Sequence, residues 1–149
     1  MIGVVALLEL YATLAAGLFS GASIYINLVE HPARIECGAA LAQFAPSYKR
    51  ATLMQASLAA TGFLAALGVY VLGAGTRWLM GGILLGLVIP FTLIVILPTN
   101  RRLLSPALAN DSPAAAQLLD RWGKLHAVRS ILSFSSFLVF LFSLSQKLR

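Results

Sequence analysis

Four long apolar runs divide this chain and constrain its fold more than any other feature. They cover residues 2–29, 52–73, 78–97 and 128–145. A helix rises about 1.5 Å per residue, so each run is long enough to cross about 30 Å of hydrocarbon. A transmembrane β-barrel would need many alternating segments of about ten residues, and the sequence has none. We therefore predict an all-α integral membrane protein, a four-helix bundle.

The composition supports the membrane assignment and excludes other classes of protein. Only 11% of the 149 residues are charged and 59% are hydrophobic, whereas soluble domains carry about 25% charged residues. The net charge of +6 does not indicate nucleic-acid binding, because the basic residues lie between apolar runs without interleaved aromatics. These basic residues are expected to meet lipid headgroups. The single cysteine, Cys37, excludes an internal disulfide.

The predicted connections differ in length. We predict loops at residues 32–51, 74–77 and 98–127, and an extra helix within the last of these. Asn110-Asp111-Ser112-Pro113 resembles a helix start, with capping side chains followed by proline. The helix over 113–126 could then run unbroken into the fourth span.

The distribution of basic residues predicts an orientation. Four spans put both termini on one side of the membrane, with three basic residues, Arg77, Lys147 and Arg149. The other eight lie on the side of the long loops, which the positive-inside rule places in the cytoplasm.

A polar stripe runs along the first predicted helix. Its members recur at steps of three, four or seven residues: Glu9, Thr13, Ser20, Ser23, Asn27, and Glu30 or His31. Such steps place side chains on one helix face. Because polar groups in hydrocarbon are costly, this face is expected to point into the bundle. Glu9 could be a structural carboxylate bonded to Thr13, a proton carrier, or a group near the interface that reaches water.

Other polar residues are expected at the same membrane face as the end of this stripe. The fourth helix carries Trp122, His126 and Arg129 near its start, and Pro98-Thr99-Asn100 ends the third. The pattern therefore brings two histidines, an asparagine, an arginine and a glutamate together. A simpler interpretation is that these residues anchor helices at the headgroups. Arg129 could also form an ion pair with Glu30 or Asp120. Pro90, inside the third helix, could open a pocket by a kink.

Two glycine pairs have the spacing that lets helices approach closely. They are Gly17 with Gly21 and Gly82 with Gly86. Packing within the bundle is the favoured interpretation. Homo-oligomerisation, or contact with another membrane protein, is the alternative.

Three motifs together resemble one known family. They are Glu30-His31-Pro32-Ala33-Arg34, Pro98-Thr99-Asn100-Arg101, and the segment from Trp122 to Arg129. This combination is similar to that of the DUF1772, or anthrone oxygenase-like, family of small membrane proteins. The resemblance implies oxidation of an anthrone to an anthraquinone by dioxygen. It implies no established cofactor.

For such a reaction we predict a base, an oxyanion partner and an apolar slot. His31 or His126 is the candidate base, and Arg129 and Asn100 are candidates for stabilising the oxyanion. Trp122 and Tyr25 could stack on the substrate, with Glu30 and Thr99 also contributing to binding. The predicted partners are an apolar small molecule and lipid.

Three other functions remain open from the sequence. His31 and His126 could ligate a haem or a metal, although no spacing demands it. Glu9 in a membrane helix is compatible with a small proton-coupled transporter. The glycine pairs are compatible with a non-catalytic accessory subunit that packs against another protein of a membrane complex.

Overall fold

A computed structural model describes residues 2–110 and 112–147. These residues form helices and turns and no strand. Six α-helices and two π-helical turns occur in chain order: α1 (Ile2–Tyr25), π turn (Ile26–Glu30), α2 (His31–Glu36), α3 (Ala40–Val71), α4 (Thr76–Phe91), π turn (Thr92–Ile96), α5 (Leu97–Leu103) and α6 (Pro113–Lys147). Because each π turn continues the helix on both sides, the chain forms four long rods.

The four rods are long and apolar enough to cross a membrane: Gly3–Glu36, Ala40–Val71, Thr76–Leu103 and Pro113–Lys147. Large apolar side chains cover the outside of the bundle, for example Leu53 at 78% and Val71 at 73% exposure. Such a surface is suited to lipid. The protein is an integral membrane protein, and the predicted all-α membrane bundle is confirmed.

The rods alternate in direction and pack as a square. The first contacts the second and the fourth, and the third contacts the same two. One end of the bundle carries residues 37–39, 104–110 and 112, which connect rods, and we call it the motif end. The other end carries the turn between α3 and α4, and we call it the terminal end.

The helices extend well beyond the apolar runs at the motif end. Residues 32–36, 40–51 and 98–103 are helical, although we predicted loops there. Hydropathy marks the part of a helix that lies in hydrocarbon, and the helical hydrogen bonds continue past it. The connection between the first two rods is only three residues long, with Gly38 at φ 67°.

The helix predicted to begin at Pro113 is present, and it runs unbroken to Lys147. It is therefore an extension of the fourth span and no separate element. The Ala115 amide donates to the Ser112 hydroxyl at 3.2 Å, which is the cap that the sequence predicted. Asp111 lies outside the described residues.

Small residues close the terminal half of the bundle. A Cβ added to Gly81 would lie 2.4 Å from Phe140, and one added to Gly82 would lie 3.1 Å from Ala66. Gly17 and Gly86 face phenyl rings of the same chain at 3.0 Å, whereas nothing lies within 4 Å of a Cβ at Gly21. Three of the four predicted glycines thus serve packing inside the bundle, and contact with a partner remains a prediction.

The two π turns precede the two proline motifs. The His31 amide donates to the Ile26 carbonyl, five residues earlier, and the Leu97 amide donates to Thr92. Pro32 and Pro98 come directly after these amides and lack an N–H of their own. Each π turn adds one residue to a turn and so rotates the next segment of helix by about 100°. This rotation decides which motif side chains point inward.

Candidate functional site

A cavity of about 140 Å³ lies inside the motif half of the bundle. Its apolar wall includes Phe19, Phe44, Val88 and Ile89. Its polar wall comes from all four rods: Glu30, Arg34, Ser47, Tyr48, Gln55, Thr92, Asn100, His126 and Arg129. Pro90 itself does not line the cavity, although its neighbour Ile89 does, and the opening of a pocket by a kink at Pro90 remains a prediction.

The cavity reaches the bundle surface between the second and third rods. Leu93 lines it and is 59% exposed. Thr52 and Ala56, on α3, line it and are exposed as well. This surface lies within the candidate membrane spans, so the opening faces the lipid side of the bundle.

His126 is the buried histidine of the cavity, at 1% exposure. Its Nδ1 donates to Oδ1 of Asn27 at 2.7 Å. The Ser130 hydroxyl donates to the same oxygen at 2.7 Å, and the Asn27 amide nitrogen donates to the Gly123 carbonyl at 3.0 Å. Asn27 thus ties the first rod to α6 and holds the His126 ring.

Arg129 brings a cation to the same wall. Its Nη2 donates to Gln55 Oε1 at 2.8 Å, and its guanidinium lies 5.4 Å from the centre of the Phe19 ring. The ion pair that the sequence offered as an alternative is absent among the described residues: Glu30 pairs with Arg34, and Asp120 pairs with Lys124 at 2.7 Å.

Three buried side-chain atoms in residues 2–110 and 112–147 have no hydrogen-bond partner. They are Arg34 Nε, Asn100 Oδ1 and Arg129 Nε, and all three residues line the cavity. An unsatisfied buried polar group costs about 1–3 kcal/mol. Two donors and one acceptor therefore converge where a ligand could satisfy them.

Arg34 and Glu30 form an ion pair at one edge of the cavity, one helical turn apart. Arg34 Nη2 also donates to Ser47 Oγ at 2.8 Å, which ties α2 to α3. The Arg34 side chain is only 13% exposed. The pairing neutralises Arg34, so the uncompensated positive charge of the cavity comes from Arg129.

His31 lies at a different place from His126. It lines a second cavity of about 720 Å³ at the motif end, together with Asn27, Asp120 and Lys124. Its Nε2 donates to the Leu119 carbonyl at 3.1 Å. Gly123 allows this close approach, because a Cβ there would lie 2.9 Å from His31 Nε2. The two histidines thus line separate cavities.

Trp122 is the aromatic residue that joins the two histidines. Its indole is 5.0 Å from the His31 ring and 4.7 Å from the His126 ring, centre to centre. Phe44 packs on it edge to face at 5.5 Å. Trp122 is buried at 8% exposure and lines the first cavity.

The remaining predicted site residues lie outside the first cavity. Tyr25 is 56% exposed on the bundle surface, and Thr99 is buried without lining the cavity. Glu9 is buried near the terminal end and pairs with Lys147. The Thr13 hydroxyl donates to the backbone carbonyl of Glu9 at 2.8 Å. The sequence suggested a bond to the Glu9 carboxyl group, so this part of the interpretation was wrong.

The sequence interpretation gave no role to four cavity residues or their partners: Asn27, Arg34, Tyr48 and Gln55. Asn27 belonged to the polar stripe and Arg34 to the first motif, so both signals were present. Gln55 and Tyr48 had no signal, because a single polar residue in a predicted span or loop carries no pattern. Among the described residues, no group of three His, Cys, Asp or Glu side chains could hold a metal ion.

The chain matches one protein-family model. The family is described as anthrone oxygenase, and the match covers residues 44–139, which is more than half of the chain. The matched part contains Asn100 and the segment from Trp122 to Arg129, and it begins after Arg34. No curated protein and no solved structure matches the chain.

Proposed function

This chain belongs to the anthrone oxygenase family, and from that premise we propose that it is a membrane oxidoreductase of the cofactor-independent oxygenase type. Its substrate is an apolar aromatic or quinone-like molecule that binds in the first cavity. The observation that carries this proposal is the convergence of His126 and three unpartnered polar atoms on one largely apolar cavity. That arrangement can bind flat rings and still supply a base and donors.

His126 is the proposed base. An anthrone has a CH₂ group between two aromatic rings, and removal of one proton gives an electron-rich anthrolate. Dioxygen accepts the electrons and bonds to this carbon, and protonation gives a hydroperoxide. Loss of the second C–H proton with cleavage of the O–O bond releases water and leaves C=O. The sum is CH₂ plus O₂ to C=O plus H₂O, and no other oxidant is required.

The Arg129 guanidinium is the proposed partner of the anthrolate oxygen, and the NH₂ group of Asn100 is the proposed second donor. The unpartnered Asn100 Oδ1 can only accept, so its partner is a hydroxyl group of the substrate. The Arg129 guanidinium has a free N–H and no carboxylate partner among the described residues. A fixed cation in a poorly hydrated cavity stabilises developing negative charge strongly. Trp122 and Phe44 supply aromatic surface against the substrate rings.

Access from the bilayer fits an apolar substrate. The exposed lining residues Thr52, Ala56 and Leu93 form an opening through which a molecule dissolved in lipid can enter. His31, in the second cavity, is assigned a structural role in joining the first rod to α6 through Leu119.

The test is anthrone oxidation by the purified protein in nanodiscs, followed by quinone absorbance and oxygen uptake. We expect turnover above the uncatalysed rate, a loss of about 100-fold in His126→Gln, and most of the activity in His31→Gln. Equal activity of both variants and the wild type would exclude His126 as the base.

A visible spectrum and metal analysis of the same preparation test the cofactor proposal. We expect neither a haem band nor stoichiometric metal, and full activity after chelator treatment. A haem band or bound metal lost in His126→Gln would replace this mechanism with a cofactor mechanism.

We also propose that the motif end faces the cytoplasm, supported by the excess of basic residues there. The single cysteine, Cys37, is exposed at this end. A membrane-impermeant maleimide should label it only after permeabilisation of cells. In the double variant Cys37→Ser/Thr76→Cys, the new cysteine replaces Thr76, which is exposed at the terminal end. The reagent should label this cysteine in intact cells. The reverse pattern would invert the orientation.

A further inference from the structure

Asn27 connects the two cavities. It lines the second cavity, while its side chain holds His126, which lines the first. All of its side-chain hydrogen bonds go to α6: one from His126, one from Ser130 and one to Gly123. It belongs to the first rod, so these contacts depend on the packing of two rods.

The hydrogen bonds around Asn27 fix the direction of its amide. The Gly123 carbonyl can only accept, so it must face the Asn27 NH₂ group at 3.0 Å. The opposite atom is then Oδ1, which can only accept. His126 Nδ1, at 2.7 Å from this oxygen, must therefore carry a proton. In the neutral ring, this leaves the lone pair on Nε2.

His31 has the opposite arrangement. Its Nε2 lies 3.1 Å from the Leu119 carbonyl, which again can only accept. The proton of neutral His31 is therefore on Nε2, and the lone pair is on Nδ1. The protein thus holds its two histidines in opposite tautomers, although both rings pack on Trp122.

We propose that Asn27 is the positioning residue that makes His126 a base toward the cavity. It holds the Nδ1–H tautomer, fixes the ring, and so directs the basic Nε2 at the substrate. An amide does this without adding negative charge to a site that must stabilise an anion. The effect on turnover rests on the proposed function, whereas the tautomer does not.

Nitrogen NMR of the histidine-labelled protein in detergent tests the tautomer directly, because protonated and unprotonated ring nitrogens have distinct shifts. The chain has two histidines, so His31→Gln leaves His126 as the single signal and His126→Gln leaves His31. We expect the Nδ1–H tautomer for His126 and the Nε2–H tautomer for His31. An Nε2–H tautomer for His126 would overturn the proposal.

Substitutions at Asn27 test the positioning role. In Asn27→Ala, we expect His126 to lose its fixed tautomer while the His31 spectrum stays unchanged. We expect kcat to fall about 10- to 100-fold, a part of what a general base contributes, with KM nearly constant. Asn27→Asp keeps an acceptor for Nδ1–H and should recover the tautomer and part of kcat.

Ser130→Ala is the matched control, because it removes the other donor to the same oxygen. It should retain the His126 tautomer and most of the turnover. If Asn27→Ala keeps the Nδ1–H tautomer and full kcat, Asn27 has no positioning role. If the tautomers are as stated but the wild type does not oxidise anthrones, the oxygenase function fails and the tautomer assignment stands.

Discussion

The two halves of the bundle use the same four rods in opposite ways. In the terminal half, glycine and alanine let the helices approach until Gly81 meets Phe140 and Gly82 meets Ala66. In the motif half, larger polar residues hold a cavity open, and three of their buried atoms lack partners. The terminal half is therefore closely packed, whereas the motif half has space for a ligand.

Removing the cavity cation should have the largest effect. Arg129→Met is expected to lower kcat about 100-fold, because the oxyanion loses its charged partner. The free energy of unfolding should fall by about 1–3 kcal/mol, because the buried Gln55 Oε1 loses its hydrogen-bond donor. Turnover assays and thermal unfolding in the same detergent give both quantities.

Arg77 provides the matched control for this substitution. Its guanidinium lies 5.3 Å from the Phe142 ring at the terminal end, and that of Arg129 lies 5.4 Å from Phe19. Arg77→Met should keep full turnover. If both variants lose activity equally, the cavity cation has no special role.

Enlarging an alanine away from the cavity and an alanine on its wall should show whether the cavity can accept extra atoms. Ala66 and Ala59 are both buried in the same apolar core, but Ala66 packs against Gly82 whereas Ala59 lines the cavity. Ala66→Leu should cost about 1–3 kcal/mol of unfolding free energy through overpacking. Ala59→Leu should leave stability close to that of the wild type and reduce substrate affinity. Thermal unfolding and KM measure the difference, and equal destabilisation would show that the cavity cannot accept atoms.

The terminal ion pair should affect stability without affecting turnover. Glu9 is 2% exposed, and Lys147→Met leaves its carboxylate buried and unpaired. We expect the free energy of unfolding to fall by about 1 kcal/mol. This is less than for a fully buried ion pair, because the Lys147 side chain is half exposed. Lys147→Met/Glu9→Gln should recover most of this loss. Reduced turnover in the single variant would instead connect Glu9 to the chemistry.

The smallest expected effect concerns the second cavity. In Gly123→Ala, the new Cβ meets the His31 ring at 2.9 Å, and the ring must shift away from Leu119. We expect a change in stability within about 1 kcal/mol, because alanine also favours the helix. Turnover should remain at about half or more of the wild-type value, since general-base catalysis uses His126. A loss as large as that in His126→Gln would assign His31 a catalytic role.

The polar stripe and the motifs predicted most of the candidate site. His126, Arg129, Asn100, Glu30 and Trp122 line one cavity, as their placement near one membrane face indicated. The spacing of the stripe left open whether Glu30 or His31 continues it, because the two residues are adjacent in the chain. The π turn at Ile26–Glu30 sets that phase, and it points Glu30 to the first cavity and His31 to the second.

The partner of Arg129 could not be predicted from local patterns. It is Gln55 on α3, far away in the chain, and it replaces the carboxylates that we considered. This contact depends on which faces of neighbouring rods meet, which the sequence of one helix does not specify. The outward position of Tyr25, at 56% exposure, follows from the helical period, because Tyr25 lies two residues, or about 200°, from the stripe residues Ser23 and Asn27.

The sequence by itself determined that the chain crosses the membrane as four helices, because only long apolar helices satisfy their own backbone in hydrocarbon. Its motifs also identified the family. Only the tertiary structure decided which histidine lines the cavity, in which tautomer each is held and where the cavity opens. Those properties depend on hydrogen bonds between rods and on the helix rotation that the two π turns add. Both form only when the helices pack together.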